Sequence, residues 1–361
     1  MKIGILTYHK VHNYGAILQA RALRCVLLDM GHEVYFVDYY PEYHQRVYSL
    51  FDWEFFKNST LKRKIKYLLR LCFSFVNMLQ RKRTFDRYIQ EFIEPYSKPL
   101  NEKYDCVIYG SDQIWRKQPF INEFNPIYFG DNSIKSRLKV SYAASFNFLP
   151  EEEDANHFMS LVAQLDKVSV REKQLYNYLC THGQKEATIC LDPTLLMNES
   201  QWQSYFSKER LVQDKYILLY DLIAESGGQT FDENELSRFA KHNNLKVVNL
   251  RSKINKLGMR NDRSSDNPAD FINLIYHSEC VFTSSYHGVA FSLIMNKPMY
   301  CCFPTDSSRA EYLLEIVGLS DRMLNPLQKL PDHIEPIDYH KVNDRIESLR
   351  QKSLKYLSSL E

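Results

Sequence analysis

The sequence lacks the signatures of several common protein classes. Within its 361 residues, no apolar run reaches the roughly 18 residues that a membrane-spanning helix needs. The loop at residues 7–16 contains Gly15 but not the GxGxxG pattern of dinucleotide-binding proteins. The first ten residues are too short for the apolar part of a signal peptide and predict a strand instead. The sequence therefore argues against an integral membrane protein and offers no dinucleotide fingerprint.

Metal-ligand spacing and strong net charge are also missing. The eight cysteines include no CxxC pair, and no Cys/His set has zinc-site spacing. Most cysteines lie in apolar stretches, which predicts buried, reduced thiols and a cytoplasmic protein. His9 and His12 lie three residues apart, but no carboxylate joins them locally, so we predict no metal site. The formal net charge is +2, so nucleic acid is not an expected partner.

Short β-rich segments recur along the chain and alternate with helical stretches. The first segment, the helix after it and the next segment form a βαβ pattern, which implies parallel strands. Six segments, enough for a complete doubly wound sheet, precede the polar stretch 198–215, which we interpret as a linker, and four follow it. The segments are 3–8, 33–40, 104–111, 139–145, 167–172, 188–194, 215–222, 246–250, 280–285 and 298–303.

This alternation predicts an α/β fold with two Rossmann-like domains in tandem. We place the first domain at 1–196, the second at 197–335 and a C-terminal helix at 336–361. Open parallel sheets bind ligands at the carboxyl ends of their strands, so a ligand is expected between the two domains.

A basic insertion at about 44–100 interrupts the first domain, with no strand signal between residues 40 and 105. Residues 61–83 predict a helix with one apolar face. Between residues 57 and 87 there are ten basic residues and one acidic residue. Two interpretations stay open: a helix packed on the first domain with a solvated basic face, or a segment 57–87 that lies on an anionic membrane surface.

The segment at 280–285 ends in two serines, and the chain continues through SSYHG (284–288) directly into a helical stretch. His287 and Gly288 fall where the strand ends and the helix begins, next to Ser285. Unpaired N–H groups at a helix N-terminus attract anions, and glycine lets the backbone approach closely. The pattern predicts an anion pocket, although a buried or capping histidine in an ordinary turn would produce the same pattern.

Arg171 ends another strand, and its planar guanidinium suits a carboxylate or phosphate. The plainer interpretation is an ion pair with Glu172 or a helix acid. Asp112 and Gln113 follow the strand at 104–111, where a carboxylate serves as acid, base or sugar-hydroxyl acceptor, or simply caps a helix.

Two further places carry candidate residues. His9 and Asn13 lie in the loop between the first strand and the first helix, at the predicted ligand edge. Arg309 begins the helix after the last strand, where it either serves the ligand or is a solvated surface residue.

Six stretches together resemble the polysaccharide pyruvyl transferase family. They occur in the family's order between Asn13 and Pro298, and the resemblance as a whole spans roughly residues 3–317. The stretches are NYGAILQARAL, DCVIYGSDQIW, VSYAASF, VSVRE, LDPTLL and DFINLIYHSECVFTSSYHGVAFSLIMNKP. The resemblance implies a glycosyltransferase B-type architecture, in which the two Rossmann-like domains face each other across a cleft.

The resemblance also implies an activity. Family members transfer pyruvate from phosphoenolpyruvate to a sugar, usually as a cyclic ketal across two hydroxyls, with release of phosphate. By residue matching, Arg171, His287 and Arg309 bind the donor, while Ser285 and Gly288 flank the phosphate. Asp112, His9 and His287 are the nearest acid and base candidates, and the sequence does not rank them.

The same resemblance sets the expected partners. They are phosphoenolpyruvate as co-substrate and a lipid-linked oligosaccharide as acceptor, with no cofactor and no metal. The insertion and first domain are then the acceptor side, the second domain is the donor side, and the protein works at the inner face of the membrane.

Two alternatives belong to other classes. One is a glycosyltransferase that uses a nucleotide sugar on the same fold; it would need an acidic residue for the ribose, and none is evident in the second domain. The other is a non-catalytic module of a polysaccharide assembly, against which the joint presence of Arg171 and His287 argues.

Overall fold

The computed structural model describes residues 1–118, 120–146, 148–184, 186–222, 230–250, 263, 266–304 and 308–360. The strands are β1 (Lys2–Leu6), β2 (Glu33–Val37), β3 (Ser97–Lys98), β4 (Lys103–Tyr109), β5 (Lys135–Ser141), β6 (Ser169–Val170), β7 (Thr188–Ile189), β8 (Tyr216–Tyr220), β9 (Lys246–Asn249), β10 (Cys280–Thr283) and β11 (Met299–Cys301).

Helices separate most of these strands. They are α1 (Tyr14–Asp29), α2 (Glu42–Val47), α3 (Trp53–Asn58), α4 (Leu61–Phe92), α5 (Ala155–Val162), α6 (Lys173–Thr181), α7 (Glu199–Trp202), α8 (Glu233–His242), α9 (Pro268–His277), α10 (Tyr286–Ile294), α11 (Ser308–Val317) and α12 (Tyr339–Ser358). None of the described helices is both long and apolar enough to cross a bilayer.

Two parallel sheets form the fold, which confirms the predicted α/β class with two Rossmann-like units. The first sheet has the order β3-β2-β1-β4-β5, and the second has the order β11-β10-β8-β9. All their strand pairs are parallel. Strand order reverses between β1 and β4 and again between β8 and β10, so the loops after these strands mark the expected ligand edges.

All ten predicted segments contain strands, but the first sheet is not built as expected. The sheet includes β3, which the sequence did not signal, and the pair β6–β7 forms a separate small sheet. Isolated bridges from Val140 to Lys167 and from Ala144 to Val170 attach that pair to the edge at β5. The predicted six-strand sheet is therefore wrong in detail, because two-residue strands carry too little pattern to reveal their pairing.

One apolar core joins the two sheets. It contains the buried faces of α1, α9 and α10 and side chains from β1 and β8. Tyr14 of α1 stacks on Phe271 of α9 with ring centroids 5.0 Å apart. Separate cores cover the outer faces of each sheet. The helices between the sheets therefore hold the two units in direct contact.

The stretch 198–215, interpreted as a linker, begins with a short helix. Asn198 begins α7 with a capping box, in which its side chain accepts from the Gln201 backbone and Gln201 reciprocates. Trp202 is buried and donates from its indole nitrogen to the Thr194 carbonyl. This one turn of helix fixes the connection between the two units.

The C-terminal helix α12 packs on both units. Tyr356 donates a hydrogen bond to the Ser141 carbonyl at the end of β5, and Ser353 accepts one from the Leu191 N–H. At its other end, Tyr339 donates to the Lys297 carbonyl beside α10. Its apolar residues, including Val342, Ile346 and Leu357, are buried.

Candidate active site

The carboxylate of Asp192 lies at the centre of a buried polar cluster. Its Oδ2 accepts from Arg171 Nη1 at 2.5 Å and from Ser111 Oγ at 3.0 Å. Its Oδ1 accepts from the N–H and the hydroxyl of Thr194, at 2.9 and 2.7 Å. Nε2 of His287 lies 3.6 Å from Oδ2. The cluster therefore joins residues of the first unit to the helix N-terminus that follows β10 in the second.

Local sequence explains these positions. Arg171 directly follows β6, and Asp192 follows β7 as the N-cap of a short 3₁₀ helix at Pro193–Leu196. Because β6 and β7 are parallel neighbours, their carboxyl ends bring the two charged side chains together. His287 lies in the first turn of α10, directly beyond β10.

Burial and charge shift the pKa values of the pair in opposite directions. Burial by itself would raise the pKa of the Asp192 carboxyl, but His287 and Arg171 outweigh it and hold that pKa well below its usual range. Burial would lower the pKa of Arg171, and the charge of Asp192 raises it instead. Both groups are therefore ionised at neutral pH, and neither is available to transfer protons.

Several donors of this cluster remain open. Nε and Nη2 of Arg171 and Nε2 of His287 are buried and have no hydrogen-bond partner among the described residues. Buried polar groups nearly always have partners, and leaving one unpaired costs about 1–3 kcal/mol. Such a set is typical of a site where a ligand supplies the acceptors, and three nitrogen donors suit an oxyanion.

Tyr286 forms one side of the cluster. The guanidinium of Arg171 lies over its ring at 4.5 Å, and its ring meets that of His287 edge-on at 5.3 Å. Burial and the nearby Asp192 charge raise the pKa of the Tyr286 hydroxyl far above its ordinary value. The hydroxyl therefore stays protonated and neutral.

Two glycines fix the position of His287. A methyl group on Gly15 would lie 2.0 Å from Nδ1 of His287, so the imidazole packs directly on the first turn of α1. A methyl group on Gly288 would lie 2.2 Å from Oγ1 of Thr283 at the end of β10. Gly288 thus allows α10 to start against its own strand. Ser285 occupies the N-cap position of that helix without a capping side-chain hydrogen bond, and its N–H donates to the same Thr283 hydroxyl at 3.0 Å.

Glu172 is buried beside Arg171. Its Oε1 accepts from Ser145 Oγ at 3.1 Å and from the Phe146 N–H at 3.3 Å, while Oε2 has no hydrogen-bond partner among the described residues. Burial is the main cause of the raised pKa of Glu172, which the charges of Arg171 and Arg309 partly offset. This carboxyl can therefore carry a proton to higher pH than an ordinary glutamate.

Arg309 lies in the first turn of α11, only partly exposed, and its charge acts on Glu172 and Tyr286. A cation in the first turn opposes the helix dipole, so this position does not serve helix stability. Arg309 is therefore not the fully solvated surface residue of the plainer interpretation.

Other predicted site residues lie elsewhere. His9 is fully buried, its Nδ1 is 2.8 Å from the Thr7 carbonyl, and its ring stacks on Phe36. Burial lowers the pKa of His9 to about 4. His9 therefore contacts Thr7 and Phe36 rather than the Asp192 cluster. Phe36 belongs to the apolar core that joins the two sheets.

Asn13, Asp112 and Gln113 have local structural contacts. Asn13 caps α1 by accepting from the Ala16 N–H at 3.1 Å. Asp112 has a left-handed φ of 72°, and its Oδ1 accepts from the Gln113 N–H in a turn rather than capping a helix. The charge of Asp112 still acts on Arg171.

Sequence reasoning missed Asp192, Tyr286, Glu172 and Ser111. Asp192 lies in the quoted stretch LDPTLL. The sequence signal for it was a carboxylate at the end of a predicted strand, directly before a proline. Arg171 does form an ion pair, but with Asp192 and not with Glu172. The sequence did not predict this partner because 21 residues separate Asp192 from Arg171 along the chain.

A cavity of about 360 Å³ lies in the first unit. One of its walls includes Phe146, whose N–H binds Glu172. It combines aromatic rings with a few polar groups, and is lined by Trp115, Arg116, Lys117, Asn122, Phe124, Phe146, Phe148, Leu149, Pro150, Glu151 and Asp154.

Possible metal ligands are separate from the Asp192 cluster. Among the described residues, Glu151, Glu153 and Asp154 form the acidic group close enough to share an ion, and Asp154 pairs with Lys117. His12, considered as a ligand, instead lies 2.9 Å from the Asp86 carboxylate.

A family model described as "Polysaccharide pyruvyl transferase" matches residues 13–307. No curated protein matches the sequence significantly.

Solved structures resemble the fold at low identity. UDP-GlcNAc 2-epimerase from Neisseria meningitidis has 10% identity and a TM-score of 0.45, with 99% of both chains covered. UDP-GlcNAc 2-epimerase from Methanocaldococcus jannaschii has 11% identity and a TM-score of 0.41, covering 96% of this chain and 92% of that one. The calicheamicin glycosyltransferase CalG4 has 13% identity and a TM-score of 0.38, covering 98% and 94%.

Proposed function

The chain belongs to the polysaccharide pyruvyl transferase family, and on that premise we propose that it transfers pyruvate from phosphoenolpyruvate to a sugar. The acceptor is part of a cell-surface polysaccharide or its lipid-linked precursor, and the products are a pyruvate ketal and phosphate. The observation that carries the proposal is the Asp192 cluster, in which Arg171 and His287 from different units present open donors.

The donor has two anionic groups, and the cluster has complementary parts for both. Arg171 retains two open N–H groups in the fork geometry that suits a carboxylate. His287 and the unpaired N–H groups of the first turn of α10 suit a phosphate. Asp192 holds Arg171 in place through a charged hydrogen bond, so the cationic groups are oriented before the donor arrives. Arg309 adds positive charge on the same side.

The reaction requires one proton donor and one proton acceptor. A proton adds to C3 of phosphoenolpyruvate, turning the methylene into a methyl group and making C2 electrophilic. One sugar hydroxyl adds to C2 and loses its proton; phosphate then leaves with its bonding electron pair. A second hydroxyl adds to C2 and loses its proton, which closes the ketal. The two hydroxyl protons account for the proton on C3 and the one taken up by the departing phosphate.

Two residues are suited to these proton transfers. Glu172 is buried with a raised pKa, so it can hold a proton for C3. In its neutral form His287 can accept a proton from the attacking hydroxyl, and once protonated it can donate a hydrogen bond to the leaving phosphate. Asp192 and Arg171 stay ionised and stabilise charge, because their pKa values are shifted away from neutrality.

We place the acceptor sugar in the cavity near Glu172. Its aromatic walls and few convergent polar groups are typical of small-molecule sites. Phe146 borders the cavity and binds Glu172 through its N–H, so a sugar there lies beside the proposed proton donor. The free cysteines support a reducing, cytoplasmic location for this reaction.

The decisive experiment measures phosphate release from phosphoenolpyruvate with a panel of sugars and lipid-linked oligosaccharides. Mass spectrometry of the acceptor should detect the ketal. Donor binding is measured separately as a rise in Tm with phosphoenolpyruvate, which needs no acceptor. A rise in Tm with nucleotide sugars, and none with phosphoenolpyruvate, would establish the glycosyltransferase alternative instead.

A further inference from the structure

The first half of α4 leaves an apolar face uncovered. We name this face the apolar stripe; its members are Leu61, Ile65, Leu68, Leu69, Phe75 and Val76. They recur at helical spacing along one side. Leu61 is 74% exposed, Leu69 55% and Val76 62%. Of the two interpretations left open by the sequence, packing on the first domain does not describe this part of the helix.

The second half of the same helix is firmly packed. Phe85, Tyr88 and Ile89 are buried in the core against α1. Arg81 donates to the Tyr14 hydroxyl at 2.9 Å and to the His12 carbonyl at 3.1 Å. The helix is thus attached to the body at one end, next to the turn on which His287 packs, while the stripe extends for roughly 24 Å at ~1.5 Å per residue.

The apolar face of the other long amphipathic helix, α12, is buried by contrast. In α12, Val342, Ile346 and Leu357 are all buried. A contiguous exposed apolar face is unusual on a monomeric protein and marks an interaction surface.

The charges around the stripe indicate the kind of surface. Lys62, Arg63 and Lys66 are exposed in this half of the helix. Residues 57–87 include ten basic residues and one acidic residue, whereas the whole chain carries only +2. The remainder of the chain is therefore net acidic, so an anionic surface would attract this segment and repel the rest.

Exposed aromatic residues lie in α3, next to the N-terminal part of α4. Trp53 is 72% exposed, and Phe55 beside it is 41% exposed. Phe55 packs against Tyr67 with ring centroids 5.3 Å apart, which holds α3 on α4. The local acids Asp52 and Glu54 are paired with Arg46. Exposed tryptophan and phenylalanine beside a basic helix are typical of segments that lie in a membrane interface.

We propose that residues 53–76 dock in the plane of an anionic lipid bilayer, with the apolar stripe entering the headgroup region. A second copy of the chain fits this surface less well, because pairing two stripes would bring two strongly basic segments together. The proposal goes beyond the proposed function and does not depend on it, since vesicle binding can be measured without either substrate.

The experiment uses the full chain and vesicles of phosphatidylglycerol or phosphatidylcholine, at low and high salt. We expect co-sedimentation with phosphatidylglycerol vesicles that weakens with salt, since charge attraction to lipid is screened. Trp53 is exposed whereas Trp115 and Trp202 are fully buried. Quenching of fluorescence by brominated lipid should therefore occur in the native chain and be lost in Trp53→Phe.

Paired variants separate the apolar and basic contributions. Lys62→Gln with Lys66→Gln should weaken binding about fivefold per lysine. Matched changes at Lys352 and Lys355, exposed on α12, should leave it unchanged. Leu68→Gln with Leu69→Gln should weaken binding at least tenfold and remove the quenching, whereas Leu28→Gln, at an exposed leucine of α1, should not.

Three results would overturn the proposal. They are an absence of binding to phosphatidylglycerol vesicles, binding that the stripe and lysine variants leave unchanged, and a dimer in sedimentation without lipid that Leu68→Gln with Leu69→Gln dissolves. The last result would identify a second copy as the occupant of the stripe.

Discussion

The imidazole of His287 packs directly on the backbone of Gly15, although the two residues belong to different units of the fold. A methyl group at position 15 would lie 2.0 Å from Nδ1 and 2.1 Å from Cγ of that ring. No side chain fits there, so the first turn of α1 determines where the His287 ring lies. The contact explains why a glycine follows the N-cap Asn13 and Tyr14, where a better helix former would otherwise stabilise α1.

Gly15→Ala should therefore displace His287 and reduce activity about 100-fold, the scale expected for a misplacement of about 1 Å. Activity is measured as phosphate release and stability as thermal unfolding. The control is a double-mutant cycle with His287→Ala. In the His287→Ala background the alanine at 15 should cost no stability, because the clashing ring is gone. Additive losses would show that the glycine serves another purpose.

Arg171→Lys and Asp192→Asn should separate donor binding from stability. The lysine keeps the charge beside Asp192 but loses the fork, so the rise in Tm with phosphoenolpyruvate should disappear while unfolding changes little. Asp192→Asn leaves a buried guanidinium without its counter-charge, which should cost about 3–5 kcal/mol of unfolding free energy.

Arg322 provides the matched control for Arg171→Lys. It is another buried arginine, paired with Glu335 in the second unit. Arg322→Lys should change stability without affecting the ligand-induced rise in Tm. Equal loss of that rise in both lysine variants would contradict a donor role for Arg171.

The pH dependence of stability should reflect His9. Burial lowers its pKa to about 4 in the folded protein, whereas the unfolded chain protonates it near ~6.5. The unfolded state therefore binds the proton first as pH falls, and unfolding free energy decreases between pH ~6.5 and ~4, by about 3 kcal/mol from this residue. His44, buried with a pKa of about 3, acts in the same direction.

His9→Asn should flatten this acid-induced loss, measured by urea unfolding at several pH values. His340, exposed on α12, supplies the control. His340→Asn should keep the native slope. If His9→Asn also keeps it, His9 is not held neutral in the core.

These residues show what the sequence could predict. Arg171 and His287 were found because each follows a strand, and parallel strands place their carboxyl ends at a ligand edge. His9 follows a strand in the same way, yet its ring turns into the core and stacks on Phe36. Strand position predicts the edge of a sheet but not the side-chain direction beyond it. Asp192 was missed because its partners, Arg171 and His287, depend on how β6, β7 and α10 meet.

The insertion shows a similar limit. Periodicity predicted the helix of α4 and its apolar face correctly. Whether that face is covered depends on neighbours distant in sequence. The structure buries Phe85 and leaves Leu69 exposed on the same helix.

Phe148→Ala should test the acceptor cavity. The ring lines the cavity but is 67% exposed, so its removal should cost little stability. We expect the KM for the sugar to rise several-fold, with the dependence on phosphoenolpyruvate unchanged. Phe120→Ala, at an exposed ring outside the cavity lining, is the control. An unchanged KM for the sugar in Phe148→Ala would place the acceptor elsewhere.

Glu172→Gln should test the proton donor. The amide retains an oxygen that accepts from Ser145 and the Phe146 N–H, so the local structure should persist. It cannot deliver a proton, and kcat should fall about 10²–10⁴-fold.

Because burial raises the pKa of Glu172, the native enzyme should stay active to higher pH than a free glutamate would allow and lose activity as pH rises through that pKa. That limb of the pH profile should be absent in the residual activity of Glu172→Gln. The rise in Tm with phosphoenolpyruvate should remain, since Arg171 and His287 are intact. A variant that keeps both kcat and the limb would show that another group protonates C3.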